Sequence, residues 1–119
     1  MLETVDNSKK TVNLDYLTDL SKGNTKFVSE MIKIFLTENP EEMKSLEKGI
    51  EEGNFDAVKA TAHKLRSTIP FVGLDKVIEK EVAEVEALAT EKTNMAEIKV
   101  LFVKIKKACE LACSELQLV

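Results

Sequence analysis

Histidine, tryptophan, cysteine, proline and glycine are all scarce in this chain. Its 119 residues include one histidine, two cysteines, two prolines, four glycines and no tryptophan. A single histidine excludes a two-histidine metal motif, and no order of serine, histidine and aspartate indicates a catalytic triad. The glycines are scattered, so the sequence has no glycine-rich loop of the kind that holds the phosphates of ATP. We therefore expect no cofactor, no ATP site and no enzymatic turnover by this chain alone.

Long apolar runs and an excess of positive charge are also missing. No stretch approaches the roughly 18 consecutive apolar residues of a membrane span, and the N-terminus has no signal-peptide pattern. We therefore expect a cytoplasmic chain without membrane contact. The formal net charge of −4 argues against nucleic acid as a partner. Adjacent acids such as Glu41-Glu42 and Glu51-Glu52 are expected to lie on solvated helix faces.

A charged fraction of 32% with few turn residues indicates a helix-rich protein rather than a sheet protein. The spacing of apolar residues predicts helices over residues 14–21, 25–38, 40–52, 55–68, 74–90 and 96–116. Short connections predict an all-α, antiparallel up-down-up-down four-helix bundle with one or two short N-terminal covering helices. The break at Asn39-Pro40 is expected because asparagine caps helices and proline suits a first turn. Residues 1–11 are polar and aperiodic, which predicts a flexible leader or linker before a domain of residues 12–119.

The two cysteines, Cys109 and Cys113, lie four residues apart on the last predicted helix. This spacing fits half of a metal site, and it equally fits two small apolar side chains in the core. The second interpretation is favoured because the sequence has no second pair of ligands. We predict no metal site and, in a reducing compartment, no disulfide between them.

His63 is the only histidine, and it lies beside the buried stripe of its predicted helix. That stripe passes through Ala62, and one residue turns an α-helix by about 100°, so the imidazole is expected to reach water. Its neighbours along the helix surface are Lys59, Arg66 and Ser67. A neutral imidazole, with an ordinary pKa of about 6.5, is a good nucleophile at neutral pH and can carry a phosphoryl group. The alternative is a histidine that is merely solvated on a helix surface.

The sequence around His63 favours the first interpretation. Residues 62–68 are Ala-His-Lys-Leu-Arg-Ser-Thr, and Gly73 follows ten residues after the histidine. This pattern resembles the signature of histidine-containing phosphotransfer (HPt) domains of bacterial two-component phosphorelays, in which Ala-His-x-Leu-Lys-Gly-Ser is followed by a glycine at the same distance. Arg66 stands where lysine is usual and keeps the charge, and Ser67 stands where glycine is usual. The resemblance spans roughly residues 12 to 116.

The resemblance implies a domain that accepts a phosphoryl group on His63 from a receiver-domain aspartyl phosphate. The domain would then pass the group to the aspartate of another receiver. The residues expected to act with His63 are Arg66, Lys59 and Lys64, which would stabilise the phosphoryl group, and Ser67 and Gly73, which would shape the docking surface. The partners would be response-regulator receiver domains, which would also supply the divalent metal ion. The chain itself is expected to be a monomer.

Some alternatives stay open at the level of sequence. HPt domains often place a glutamine or glutamate on the next helix to bond the second ring nitrogen; the matching position here is Val85, with Glu81 and Glu86 as alternatives. The chain could be a free-standing protein or a domain of a larger hybrid sensor histidine kinase. The alternative function is a non-catalytic helical docking module within a signalling protein, whose histidine is incidental. A carrier must take label at His63 from a phosphorylated receiver, whereas a docking module need not.

Overall fold

The computed structural model describes residues 11–117, and these form a helical bundle without strands. The helices are α1 (Asp15–Ser21), α2 (Thr25–Glu51), α3 (Phe55–Thr68), α4 (Asp75–Thr90) and α5 (Met95–Leu116), with a short 3₁₀ helix over Ile69–Val72. Helices α2 to α5 form a closed ring in which α3 packs between α2 and α4, diagonally opposite α5. Helix α1 covers one end and packs on α2 and the 3₁₀ helix. The predicted all-α four-helix bundle with a short covering helix is confirmed.

The ion pairs between α3 and α4 show that these helices run antiparallel. His63 lies beside Glu86, whereas Arg66, one turn further along α3, also reaches Glu79, which is two turns earlier on α4. Rising residue numbers on one helix thus meet falling numbers on the other, as the short connection requires. None of the helices in the described part of the chain has the length and apolarity that a membrane crossing would need.

The predicted helix starts agree with the structure where asparagine caps them. Asn24, Asn54 and Asn94 precede α2, α3 and α5, and each side chain accepts a hydrogen bond from the backbone N–H three residues later. These bonds satisfy donors that the first turn of a helix leaves free. Local sequence chemistry therefore determines where three of the four bundle helices begin.

The predicted break at Asn39-Pro40 is wrong, because α2 continues through this point as one helix of 27 residues. Proline lacks an N–H and so removes one hydrogen bond from a helix interior. Tertiary packing outweighs this loss, since α2 buries side chains on both sides of Pro40. Asn39 is 2% exposed and does not cap a helix; its amide donates to Cys109 Sγ at 3.5 Å, and Cys113 Sγ donates to its Oδ1 at 3.8 Å. The asparagine thus joins α2 to α5.

The two cysteines pack against α2, in agreement with the sequence-based interpretation. Cys109 is fully buried in the core and Cys113 is partly buried beside it. Burial raises the pKa of the Cys109 thiol to about 11 and also raises the pKa of Cys113. Both side chains therefore stay protonated at neutral pH and act as small apolar groups.

The segment before α1 is tied to the end of α5. The backbone N–H groups of Thr11 and Val12 donate to the carboxylate of Glu115 over 2.8 to 3.0 Å. Thr11, the last residue of the predicted leader, is thus hydrogen-bonded to α5. The rest of the predicted leader, residues 1–10, lies outside the described residues, as do residues 118–119.

Gly73 ends the 3₁₀ helix in the left-handed conformation, with φ at 76°. It is buried, and a Cβ at this position would lie 2.7 Å from both Cβ and the carbonyl oxygen of Asn13. The N–H of Asn13 donates to the carbonyl of Val72 at 2.8 Å, which holds the two segments together. Gly73 thus lies beneath Asn13, and its docking role stays a prediction. Backbone geometry alone explains why glycine occupies this position.

We expect Gly73→Ala to lower the free energy of unfolding by about 2–5 kcal/mol. The left-handed conformation costs an alanine about 1–2 kcal/mol, and the clash with Asn13 adds about 1–3 kcal/mol more. Urea unfolding followed by circular dichroism measures the loss. The matched control is Gly53→Ala, because Gly53 also has a positive φ of 67° but nothing within 4 Å of its would-be Cβ. Equal losses in both variants would contradict the contribution of the Asn13 contact.

Candidate functional site

His63 extends into solvent from the middle of α3, as the sequence predicts. Its side chain is 77% exposed, whereas the preceding Ala62 is fully buried. The helix buries the stripe formed by Val58, Ala62 and Leu65. The imidazole is therefore accessible to another macromolecule on the outer face of α3.

One ring nitrogen of His63 is held by α4. Nδ1 lies 2.9 Å from Oε2 of Glu86, whose side chain is only 16% exposed. An ionised carboxylate can only accept hydrogen bonds, so in the neutral ring Nδ1 carries the proton and donates it. The lone pair then resides on Nε2, on the other side of the ring. The bond to Glu86 thus selects the tautomer and leaves Nε2 available to a partner.

Glu86 is the residue that the sequence could not single out. Val85, at the position that matches the family pattern, is fully buried, and Glu81 binds Lys104 of α5 at 2.6 Å. Each residue turns the helix by about 100°, so α4 directs Val85 into the core, Glu81 towards α5 and Glu86 towards His63. The sequence offers Glu86 as one of two alternatives to Val85. Only the rotation of α4 relative to α3 shows that Glu86 is the one that faces His63.

Glu86 also binds Arg66, so that one carboxylate connects two site residues. Arg66 Nη1 lies 3.1 Å from Oε1 of Glu86, and Nη2 lies 3.9 Å from Oε2 of Glu79. Partial burial alone would raise the pKa of Glu86, but hydrogen bonds from Arg66 and His63 outweigh this effect and lower it. Glu86 therefore stays ionised and can accept hydrogen bonds from both side chains at once.

The other predicted site residues lie on two sides of the imidazole. Lys59 and Ser67, one turn before and one turn after His63, are exposed on the same face of α3. The Ser67 hydroxyl donates to the carbonyl of Lys64 at 2.7 Å. Lys64 itself is directed towards α2, where its Nζ lies 3.5 Å from Oε2 of Glu42. Lys59 and Ser67 therefore share the exposed face of α3 with His63, Arg66 is linked to the ring through Glu86, and the ammonium of Lys64 lies at the α2 side.

The structure contradicts the prediction that Glu42 lies on a solvated helix face. Glu42 is 6% exposed between α2 and α3, while its neighbour Glu41 has a side chain 71% exposed. Burial raises the pKa of the Glu42 carboxyl, against the lowering effect of the Lys64 charge. Oε2 of Glu42 accepts no hydrogen bond from the residues that the structure describes. Sequence reasoning missed Glu42 because only the orientation of α2 in the bundle decides which of two adjacent glutamates is buried.

The fold and site define a class of protein: a small helical bundle that presents one histidine, held by a carboxylate, to a partner. A family model described as Hpt domain matches residues 30–112, which is more than half of the chain. The chain therefore belongs to the Hpt domain family, whose members carry phosphoryl groups between receiver domains in phosphorelays. This is a family of phosphocarriers rather than of enzymes.

Comparison with solved structures agrees on the fold. The HPT domain from an Hpt sensor hybrid histidine kinase of Shewanella superposes with a TM-score of 0.69. The alignment covers 92% of this chain and 96% of that domain, at 19% sequence identity. A search of curated proteins finds no match.

Proposed function

We propose that His63 is the phosphoacceptor of this Hpt domain. Nε2 attacks the phosphorus of an aspartyl phosphate on a receiver domain; the N–P bond forms, the P–O bond to the aspartate breaks, and the carboxylate leaves. The reverse reaction loads a second receiver. The observation that carries this proposal is the 2.9 Å bond from Nδ1 to Glu86 on a ring that is 77% exposed, because it holds one nitrogen and frees the other.

The proton on Nδ1 has a further role in this proposal. Because Nε2 attacks with its lone pair and Nδ1 keeps its proton, the ring gains positive charge when the N–P bond forms. The carboxylate of Glu86, 2.9 Å away, compensates that charge without any proton transfer. Glu86 is thus proposed as a positioning residue that also stabilises phosphorylated His63.

Cationic side chains near the ring would stabilise the incoming phosphoryl group. Arg66 is 44% exposed, and Lys59 lies exposed one turn from His63. Phosphoryl transfer depends mostly on positioning and charge compensation. Arg66 and Lys59 would supply the positive charge that compensates the phosphoryl group. Lys64 is paired with Glu42 on the α2 side and is assigned the smaller share. The divalent metal ion of the reaction would be held by the receiver.

The proposal extends to partners and context. We propose that the chain acts as a monomer in the cytoplasm, without an ATP site of its own, and that response-regulator receiver domains are its partners. A larger hybrid sensor kinase containing this domain is compatible with the same chemistry.

Incubation with a receiver domain that carries radiolabelled aspartyl phosphate tests the proposal. We expect label to move to this chain in an acid-labile, base-stable form, as phosphohistidine requires. Phosphoramidate, a small chemical donor, provides an independent arm, and phosphorus NMR should find the phosphoryl group on Nε2. A chain that takes label from neither donor overturns the proposal. Receiver binding without any labelling would instead support the non-catalytic docking module.

Glu86→Ala is expected to slow phosphoramidate labelling of His63 by about 10- to 100-fold. The variant loses a charge-assisted hydrogen bond of roughly 1.5–3 kcal/mol that orients the ring and stabilises the product. Initial rates of labelling measure the effect. Glu84→Ala is the matched control, because Glu84 is an exposed glutamate on α4 two residues away. A Glu86→Ala rate equal to that of the control would remove the positioning role.

Arg66→Ala is expected to slow transfer from a phosphorylated receiver by roughly 10- to 100-fold, because it removes a cation near the phosphoryl group and one partner of Glu86. Lys59→Ala should have a smaller effect of the same sign, since the hydrogen bonds of Glu86 go to His63 and Arg66. Rapid-quench measurement of transfer rates distinguishes the two. Wild-type rates in both variants would refute the electrostatic role.

A further inference from the structure

Arg66 lies between two carboxylates of α4. Its Nη1 donates to Oε1 of Glu86 at 3.1 Å, and its Nη2 lies 3.9 Å from Oε2 of Glu79. The two glutamates are two helical turns apart, so both lie on the face of α4 that packs against α3. The guanidinium group of Arg66 is therefore drawn towards α4 by two negative charges.

The phosphoryl group would draw the same guanidinium group in another direction. Glu86 binds Nδ1 of His63, whereas the proposed phosphoryl group forms on Nε2, on the other side of the ring. A phosphoryl group brings about 1.5 to 2 negative charges and three strong acceptor oxygens. Arginine binds such oxygens with two parallel hydrogen bonds. The carboxylates of α4 and the phosphoryl group thus compete for Arg66.

The two carboxylates hold Arg66 with different strength. Glu86 is 16% exposed and forms a hydrogen bond, and it is also the partner of His63. Glu79 is 56% exposed, and its 3.9 Å contact is an ion pair that solvent screens. Arg66 is itself 44% exposed, so its guanidinium group has room to turn. The contact with Glu79 is therefore the one that Arg66 gives up most readily.

We propose that Glu79 is a positioning residue that holds Arg66 on α4 in the unphosphorylated chain and so limits how strongly His63 retains the phosphoryl group. The inference rests on the proposed function and adds a residue that acts through Arg66. A carrier has to give up its phosphoryl group as well as accept it. An arginine without a competing partner would favour the loaded state, and Glu79 offsets that preference.

The variant Glu79→Gln tests this role, because it removes the competing charge and keeps the size of the side chain. The measured quantity is the equilibrium distribution of label between His63 and a receiver domain that exchanges phosphate with the wild-type chain. We expect a shift of about two- to fivefold towards phosphorylated His63, as loss of one exposed ion pair allows. An unchanged distribution overturns the proposal.

The matched control is Glu84→Gln, which removes the same charge from another exposed position of α4. This variant should keep the wild-type distribution of label. An equal shift in Glu84→Gln would show that the total charge of α4 matters rather than the contact with Arg66, and it would also overturn the proposal. The melting temperature of both variants should stay near that of the wild type, because both positions are exposed.

A double-mutant cycle shows whether Glu79 acts through Arg66. In an Arg66→Ala background, after an incubation long enough to reach equilibrium, adding Glu79→Gln should cause no further shift. A shift of the same size in that background would mean that Glu79 repels the phosphoryl group directly, which contradicts the positioning role. A wild-type chain that takes no label from either donor would refute the proposed function instead. Normal labelling with an unchanged distribution in Glu79→Gln overturns only the role of Glu79, so the two failures are distinguishable.

Discussion

His63→Gln is expected to abolish phosphoryl acceptance from both receiver and phosphoramidate while leaving the fold intact. The ring is the only imidazole in the chain, and an amide nitrogen is not nucleophilic enough to replace it. The side chain is 77% exposed, so its replacement should change the free energy of unfolding by no more than about ±0.5 kcal/mol. Glutamine can also donate its amide hydrogen to Glu86, which keeps that carboxylate bound.

Autoradiography after incubation with each donor measures this result, and thermal unfolding monitors the fold. Glu84→Ala, a substitution at an exposed position of α4, serves as the control that should still take the label. Residual label in His63→Gln would place the phosphoryl group on another side chain and refute the assignment. A large drop in melting temperature would contradict the exposed position of the ring.

Ser67→Arg is expected to abolish transfer from a phosphorylated receiver. In-line transfer requires the receiver aspartate to come within a few ångströms of Nε2, so side chains stacked beside His63 on α3 must be small. Ser67 is exposed one turn beyond the ring, and an arginine there would occupy the approach. Melting temperature should stay near that of the wild type, because the position faces solvent and arginine is a good helix former.

Three comparisons separate blocked docking from a damaged site. Phosphoramidate is small, so it should still label His63 in Ser67→Arg. Ser67→Gly should transfer at least as fast as wild type, with a loss of stability of about 0.5 kcal/mol from helix propensity. Ser114→Arg introduces the same side chain at an exposed position of α5, diagonally across the bundle, and should transfer normally. Normal transfer in Ser67→Arg would show that the partner does not dock over this face.

Sequence patterns predicted the elements whose causes are local. The asparagine caps at Asn24, Asn54 and Asn94 form hydrogen bonds with residues only three positions away, so their effect can be predicted from neighbouring residues. The exposure of His63 followed from helical periodicity alone, because Ala62 and the rest of the stripe must face the core. The motif around His63 likewise led to the correct family before any contact was known.

Pro40 shows where local chemistry misleads. A proline after an asparagine is a reasonable signal for a new helix, and the loss of one hydrogen bond is a local cost. What decides the outcome is the burial of α2 against α3 and α5 on both sides of that residue, a gain that comes from distant parts of the chain. Asn39, buried against Cys109, belongs to the same long-range contact.

The sequence by itself determined the approximate limits of most helices, the exposed histidine and the family to which the chain belongs. Tertiary structure alone decided that Glu86 rather than Val85 meets His63, that Arg66 shares this carboxylate, and that Glu42 is buried. Each of these facts depends on how far one helix is rotated and shifted against the next. A single residue changes the direction of a side chain by about 100°, and only the packing of all four helices selects among such rotations.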